Sequence, residues 1–314
     1  MRCTSPRTVG FQSDGKTLCW SPTKYNKQFA TFQLPCGKCI SCRLLQAREK
    51  SIRCVHEASL HTKNTFLTLT YSDEKLESQK LIYPHIQKFI RDIRYRYPEQ
   101  PIPCVTTGEY GTKNKRPHWH LLLFNFAPHD MVPYKKNKQG DQLYTSPSID
   151  EIWSYNNSKE HPSQIGPVNL ATAGYVCRYQ LKKQEHKETQ SEYSPIVRYS
   201  SKYAIGKKWL EKNWQQTFDL GFITIQGGEK QKIPRYYEKW LKKNHPQAYE
   251  KYITTIRNDI IKNSSEINKT EEEQQKTRND QRLNQNWRKS LEISANKMRD
   301  SILKQKTDLI KSSI

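Results

Sequence analysis

Two histidines separated by one residue in an apolar run, His118 and His120 within Arg116-Pro117-His118-Trp119-His120-Leu121-Leu122-Leu123-Phe124, are the residues best placed to do chemistry. Side chains alternate faces along a β-strand, so His118 and His120 share one face and Trp119 and Leu121 the other. Two imidazoles aimed at one point can hold a divalent metal. Nine residues before His118, Glu109 lies on a predicted neighbouring strand and completes a two-histidine, one-carboxylate set with open positions for substrate oxygens. Such a mixed nitrogen and oxygen site suits Mn2+ or Mg2+ and does not exclude Zn2+. Its chemistry would be to polarise a phosphoryl oxygen.

The matching nucleophile is a tyrosine. Tyr175 and Tyr179 are four apart in Tyr175-Val176-Cys177-Arg178-Tyr179-Gln180-Leu181-Lys182-Lys183 and share one face of a predicted helix. A free phenol ionises near pH 10 and needs a cation or metal beside it to attack at neutral pH. Lys182 and Lys183 follow Tyr179 by three and four residues, and Arg178 follows Tyr175 by three. These cations can steady a phenolate, a scissile phosphate or a leaving 3′-oxygen. Tyr199 and Tyr203, with Lys202, repeat the same spacing, so spacing alone does not choose between the two pairs.

The elements that must position these groups read as an α+β domain. Thr65 to Tyr71 alternates bulky and threonine residues as a strand does, and a helix with apolar spacing at Ile86, Phe89, Ile90 and Ile93 follows Pro84. Cys104 to Tyr110 is a second strand, joined to the histidine strand by the basic turn Gly111 to Pro117. Residues 127–165 read as a long polar insertion with a short helix near 149–155. The expected architecture is a central antiparallel sheet with the metal on its open face, helices behind, and the tyrosine helix beside the site. Three regions follow: a cysteine-bearing extension with a lead-in helix over 1–60, a catalytic domain over 61–244, and a polar tail over 245–314, helical or partly disordered.

Composition narrows the partner. The chain has 314 residues, only 34% of them hydrophobic, and a net charge of +22, which calls for a polyanion. Lys113, Lys115 and Arg116 in the hairpin turn, with Arg178, are the expected contacts to a DNA backbone. No run approaches the roughly 18 to 20 apolar residues that span a bilayer, and the first residues lack the apolar core of a signal peptide, so no membrane partner is expected. Eight cysteines are too few for a disulfide scaffold. Three of them, Cys36, Cys39 and Cys42, form a turn that Zn2+ could close, with Cys3, Cys19, Cys54 or His56 as a fourth ligand.

Five motifs occur in one order: Pro35 to Cys42, Phe66 to Tyr71, Gly108 to Gly111, Arg116 to His120, and Tyr175 to Tyr179. This order resembles the replication initiators of small circular single-stranded DNA phages of the microvirus family, above all its gokushovirus branch, within the HUH endonuclease superfamily. The resemblance covers about residues 30 to 240. It implies the ferredoxin-like sheet of the HUH fold and a metal held by Glu109, His118 and His120. It also implies nicking of origin DNA through a 5′-phosphotyrosine, rolling-circle replication, a host polymerase and helicase as partners, and action in the cytoplasm of a bacterial host. Where the family has Met-Ser-Arg and Pro-Gly-Ile-Gly, this chain has Tyr199-Ser200-Ser201 and Tyr203-Ala204-Ile205-Gly206. Motif order favours Tyr175 and Tyr179 as the nucleophiles. A transposase or relaxase relative, and a non-catalytic nucleic-acid-binding protein, are the competing readings.

Overall fold

A computed structural model of the chain describes residues 3–14, 17–28, 30–111, 115–137, 140–155, 162–178, 195–200, 202–225, 227–257, 259, 295–301 and 303. Its contacts form two units, one drawn from Met1–Gln46 with Arg278–Ser313 and the other from Ala47–Thr277. In the first unit, β1 (Arg7–Phe11) pairs antiparallel with β2 (Leu18–Cys19) and β3 (Phe32–Leu34). A short helix covers residues 295–301. Helix α1 (Ile40–Ala58) begins here and continues into the second unit.

The second unit is built on a seven-stranded sheet. Its strands are β4 (Asn64–Thr70), β5 (Cys104–Tyr110), β6 (Pro117–Phe124), β7 (Val132–Lys136), β8 (Gln142–Thr145), β9 (Gln164–Gly166) and β10 (Ile196–Tyr199). They run in the order β10-β5-β6-β4-β9-β8-β7, with every neighbouring pair antiparallel. Beside it lie α2 (Tyr83–Arg96), α3 (Pro147–Ile152), α4 (described over 170–178), α5 (Lys207–Leu220), α6 (Arg235–Asn244), α7 (Pro246–Tyr252) and the small hairpin β11 (Ile223–Thr224) and β12 (Lys230–Gln231). The expected α+β sheet with flanking helices is therefore present.

Two-residue periodicity sorts the side chains of β4, β5 and β6 onto two faces. One face carries Leu67, Leu69, Cys104, Trp119, Leu121 and Leu123 into a core with Ile86, Phe89 and Ile93 of α2 and Ile149 of α3. Trp119 is fully buried there, and its indole N–H is satisfied by donating to Tyr71 Oη at 2.9 Å. The other face is apolar at one end, where Phe66, Val105, Leu122 and Phe124 meet Ala47 and Cys54 of α1 and Ala173, Val176 and Cys177 of α4. Toward its other end the same face turns polar, through Thr68, Thr107, Glu109, His118 and His120. Gly108 is required between the faces: a Cβ there would lie 2.6 Å from Trp119 Cζ3.

The segment expected to be a loop over 127–165 instead supplies β7, α3, β8 and β9, which widen the sheet beyond β4. Its strand pattern is weak for a physical reason. All five residues of β7 are exposed and β8 is half-buried throughout, so neither strand has a buried face to impose alternation. A bulge between Pro133 and Lys135 interrupts the β7–β8 pairing. Packing also continues past His245: Tyr252 is buried in a third core with Leu210 and Phe218 of α5 and Tyr237 and Leu241 of α6.

Candidate metal centre

The β5–β6 hairpin sets the centre by register. Glu109 lies opposite His118 and Thr107 opposite His120, while across the other side of β6, Thr68 lies opposite His120. Because His118 and His120 differ by two, both rings project from the same face as Glu109. Glu109 Oε1 lies 2.8 Å from His118 Nε2 and 2.9 Å from His120 Nε2. Glu109 and His120 are only 4% and 5% exposed, which keeps bulk water from competing with them.

This donor set fits a cation. His118 Nδ1 lies 3.2 Å from the Arg116 carbonyl, which can only accept, so Nδ1 carries the proton and the neutral ring's Nε2 lone pair faces the carboxylate. Two acceptors at 2.8 Å repel unless a proton or a metal ion lies between them. An ion about 2.1 Å from two ligand atoms at a right angle would separate them by about 3.0 Å, close to the spacing present here. Burial alone would raise the Glu109 carboxyl, but the imidazoles of His118 and His120 more than offset that and hold it well below the usual carboxylate range.

Residues without a sequence signal of their own orient the ligands. Thr68 Oγ1 lies 2.9 Å from His120 Nδ1, and the Phe66 ring stacks on the His120 ring at 5.7 Å between centroids. Partners of this kind fix ring orientation in metal centres. The pairing register that sets Thr68 opposite His120 is the one signal that points to the threonine.

Tyr175 projects from α4 into this centre. Its hydroxyl donates to Glu109 Oε1 at 2.8 Å and lies 3.3 Å from His120 Nε2. Arg178 sits one turn further along α4, half-buried. Tyr179, Lys182, Lys183 and Lys113 lie outside the described residues. The alternative pair is placed elsewhere: Tyr199 lies opposite Val105 on β5, four residues and about 13 Å of strand from Glu109. Its hydroxyl points at Cys177 Sγ at 3.8 Å, and burial pushes that phenol well above its ordinary range. Tyr203 has Lys202 over its ring. Lys115 is exposed at the hairpin, whereas the Arg116 guanidinium donates to the Tyr71 carbonyl at 2.8 Å and pairs with Asp73.

An antiparallel sheet with two histidines and a carboxylate on adjacent strands, and a helix tyrosine against them, has the architecture of an HUH-like nuclease fold. Residues 64–184, which contain all of these groups, match the family model described as replication-associated protein ORF2. The chain is 42% identical over 265 residues to the replication-associated protein VP4 of Bdellovibrio phage phiMH2K, an alignment covering 82% of each protein. It is 29% identical over 242 residues to the replication-associated protein ORF2 of Spiroplasma virus 4, covering 73% of this chain and 74% of that one. To the replication-associated protein ORF4 of Chlamydia phage 1 it is 30% identical over 231 residues, covering 69% and 55%. No solved structure matches. The chain thus belongs to the family of phage replication-associated proteins, in agreement with the resemblance carried by its motif order.

Proposed function

We propose that the protein initiates rolling-circle replication of a small circular single-stranded DNA phage by nicking and rejoining the origin strand. The observation that carries this reading is the Tyr175 hydroxyl at 2.8 Å from the carboxylate oxygen that also meets both histidines. Glu109, His118 and His120 would hold Mn2+ or Mg2+, and the ion would polarise the scissile phosphoryl oxygen and stabilise the charge that builds on it. Tyr175 Oη attacks the phosphorus, the bond to the 3′-oxygen breaks, and the tyrosine proton leaves along the hydrogen bond aimed at Glu109. The products are a 5′-phosphotyrosine and a 3′-hydroxyl. One phosphodiester replaces another, so rejoining needs no nucleotide cofactor.

Tyr179, four residues on, would attack the regenerated origin while the first linkage is resolved. Lys182, Lys183 and Arg178 would neutralise the scissile phosphate or the leaving oxygen, and Lys113, Lys115 and Arg116 would follow the backbone of the single strand. Arg116 can do so only by giving up or sharing its bonds to Tyr71 and Asp73. A host polymerase would extend the 3′-hydroxyl and a host helicase would part the strands, in the bacterial cytoplasm. Among the described residues no helix is long and apolar enough to cross a membrane.

The test is mass spectrometry of the protein after incubation with Mn2+ and single-stranded origin DNA, for wild type, Tyr175→Phe, Tyr179→Phe and the double variant. A 5′-linked adduct at Tyr175 or Tyr179, absent from the double variant, is expected. An adduct at Tyr199 or Tyr203 moves the site. Cleavage leaving a free 5′-phosphate replaces transesterification with hydrolysis, and origin binding without cleavage makes this a binding protein.

A further inference from the structure

A second cluster of metal-capable side chains lies within the first unit. The Sγ atoms of Cys3, Cys36, Cys39 and Cys42 all lie within 4.8 Å of one another. We propose that these four thiolates hold one structural Zn2+, and that Cys3, brought in from the N-terminal segment, is the fourth ligand that closes the Cys36 to Cys42 turn.

Geometry is the first argument. Four sulfurs each about 2.3 Å from a central zinc ion stand about 3.8 Å apart at the corners of a tetrahedron. Cys3 Sγ lies 3.6 Å from Cys36 Sγ and 3.8 Å from Cys39 Sγ. A disulfide would bring two of them to about 2.05 Å, and all four are free.

The backbone is the second argument. The amide of Cys36 points at Cys3 Sγ at 3.3 Å, and those of Lys38 and Cys39 point at Cys36 Sγ at 3.4 and 3.2 Å. Donors aimed at sulfur favour the thiolate, the form that binds metal. Gly37 makes the turn possible, since its φ of +74° is a conformation that other residues adopt only with strain. The helical register of α1 then carries Cys42 back toward Cys39, whose carbonyl accepts from the Arg43 amide.

The rival fourth ligands are engaged elsewhere. Cys19 Sγ donates to the Ser21 carbonyl, Cys54 is hydrogen-bonded to Cys177, and His56 Nδ1 lies 2.9 Å from Tyr237 Oη. An all-thiolate set is soft and selects Zn2+ over the Mn2+ or Mg2+ that suits Glu109 and its histidines. Binding replaces each S–H with a Zn–S bond and releases the protons to solvent. Thr4, next to Cys3, donates to Asp300 Oδ2 at 2.9 Å, so fixing Cys3 also steadies the seat of the 295–301 helix.

The experiment is elemental analysis of the full-length protein, purified without chelator from zinc-supplemented cells, as wild type, Cys3→Ser, Cys39→Ser and His118→Ala. About one zinc per chain is expected in wild type and His118→Ala, none in Cys39→Ser, and at least about 10-fold weaker retention against a competing chelator in Cys3→Ser. X-ray absorption on the wild-type protein should find four sulfurs at about 2.3 Å. Because a cysteine variant can fail to fold, Co2+-loaded wild type supplies an independent reading through the visible bands of a tetrahedral tetrathiolate. Absence of zinc from wild type, iron in its place, a nitrogen or oxygen among the zinc ligands, absence of those cobalt bands, or zinc lost from His118→Ala and kept in Cys39→Ser would each overturn the proposal.

Discussion

The two metal-capable clusters of this chain are assembled in opposite ways. Glu109, His118 and His120 come from one hairpin, and the register of two paired strands places all three. The four cysteines come from a turn, a helix start and an N-terminal segment, with Cys3 reaching Cys36 across 33 residues. In the first case secondary structure precedes the site and fixes it. In the second the proposed ion would hold together segments that have little regular structure of their own. Preorganised ligands suit catalysis, where the geometry must survive loss and exchange of the ion; a clip made by the ion suits folding.

The strongest way to break this contrast is to remove one ligand from the hairpin. His120→Ala should lower single-strand cleavage at saturating Mn2+ by more than about 100-fold, or about 2.7 kcal/mol, while leaving zinc content unchanged. Gel assays beside elemental analysis decide it, and unimpaired cleavage would remove the hairpin from the chemistry.

Gly108→Ala tests whether the strands precede the site. Its new Cβ meets Trp119 Cζ3 at 2.6 Å and Leu81 Cδ2 at 2.9 Å, so unfolding in urea should show a loss of about 1–3 kcal/mol. Metal affinity should fall with it, because Glu109 is the next residue on β5.

His56 shows what a buried imidazole does when neither a carboxylate nor a metal meets it. Burial lowers it to about 4, and its Nε2 has no hydrogen-bond partner among the described residues. Above about pH 6.5 the ring is neutral folded and unfolded alike, and contributes no pH dependence. Between about 6.5 and 4 the unfolded ring takes a proton that the folded ring refuses, so stability is lost as the pH falls, by about 2 kcal/mol at pH 5. His56→Gln should remove that slope when urea curves at pH 8 and pH 5 are compared. A slope shared equally by both proteins would rule His56 out as its source.

The smallest effect is expected at Thr68. Thr68→Val removes the group at 2.9 Å from His120 Nδ1 and keeps the shape, so Mn2+ affinity by calorimetry should fall about 10-fold, or about 1.4 kcal/mol. No change would mean that stacking on Phe66 is enough to orient the ring.

What is legible in the sequence follows the same division. The alternation of Phe66-Leu67-Thr68-Leu69-Thr70, the apolar spacing of α2 and the histidine pair are readable because one face of each element is buried and regular. Glu109 can be named because a hairpin has few registers. Helix α1, expected from Leu44, begins at Ile40, since the cysteine turn feeds it directly and little apolar periodicity marks its start. Strands β7 and β8 leave no such mark, because a strand without a buried face shows no period of two. Tyr199 and Tyr175 carry the same spacing signal, and only tertiary placement sends one toward Cys177 and the other to Glu109.

The exposed strand at the end of the sheet has a consequence for the protein at the concentrations of an infected cell. A bare strand edge offers unpaired amides and carbonyls to any other extended chain, and sheets so exposed grow into fibrils. On β7, Pro133 withholds a donor, the bulge breaks the repeat, and Lys135 and Lys136 add charge that a second such edge would have to bury. The outermost strand is thereby a poor template for aggregation, and the sheet can end in solvent without recruiting another copy of itself.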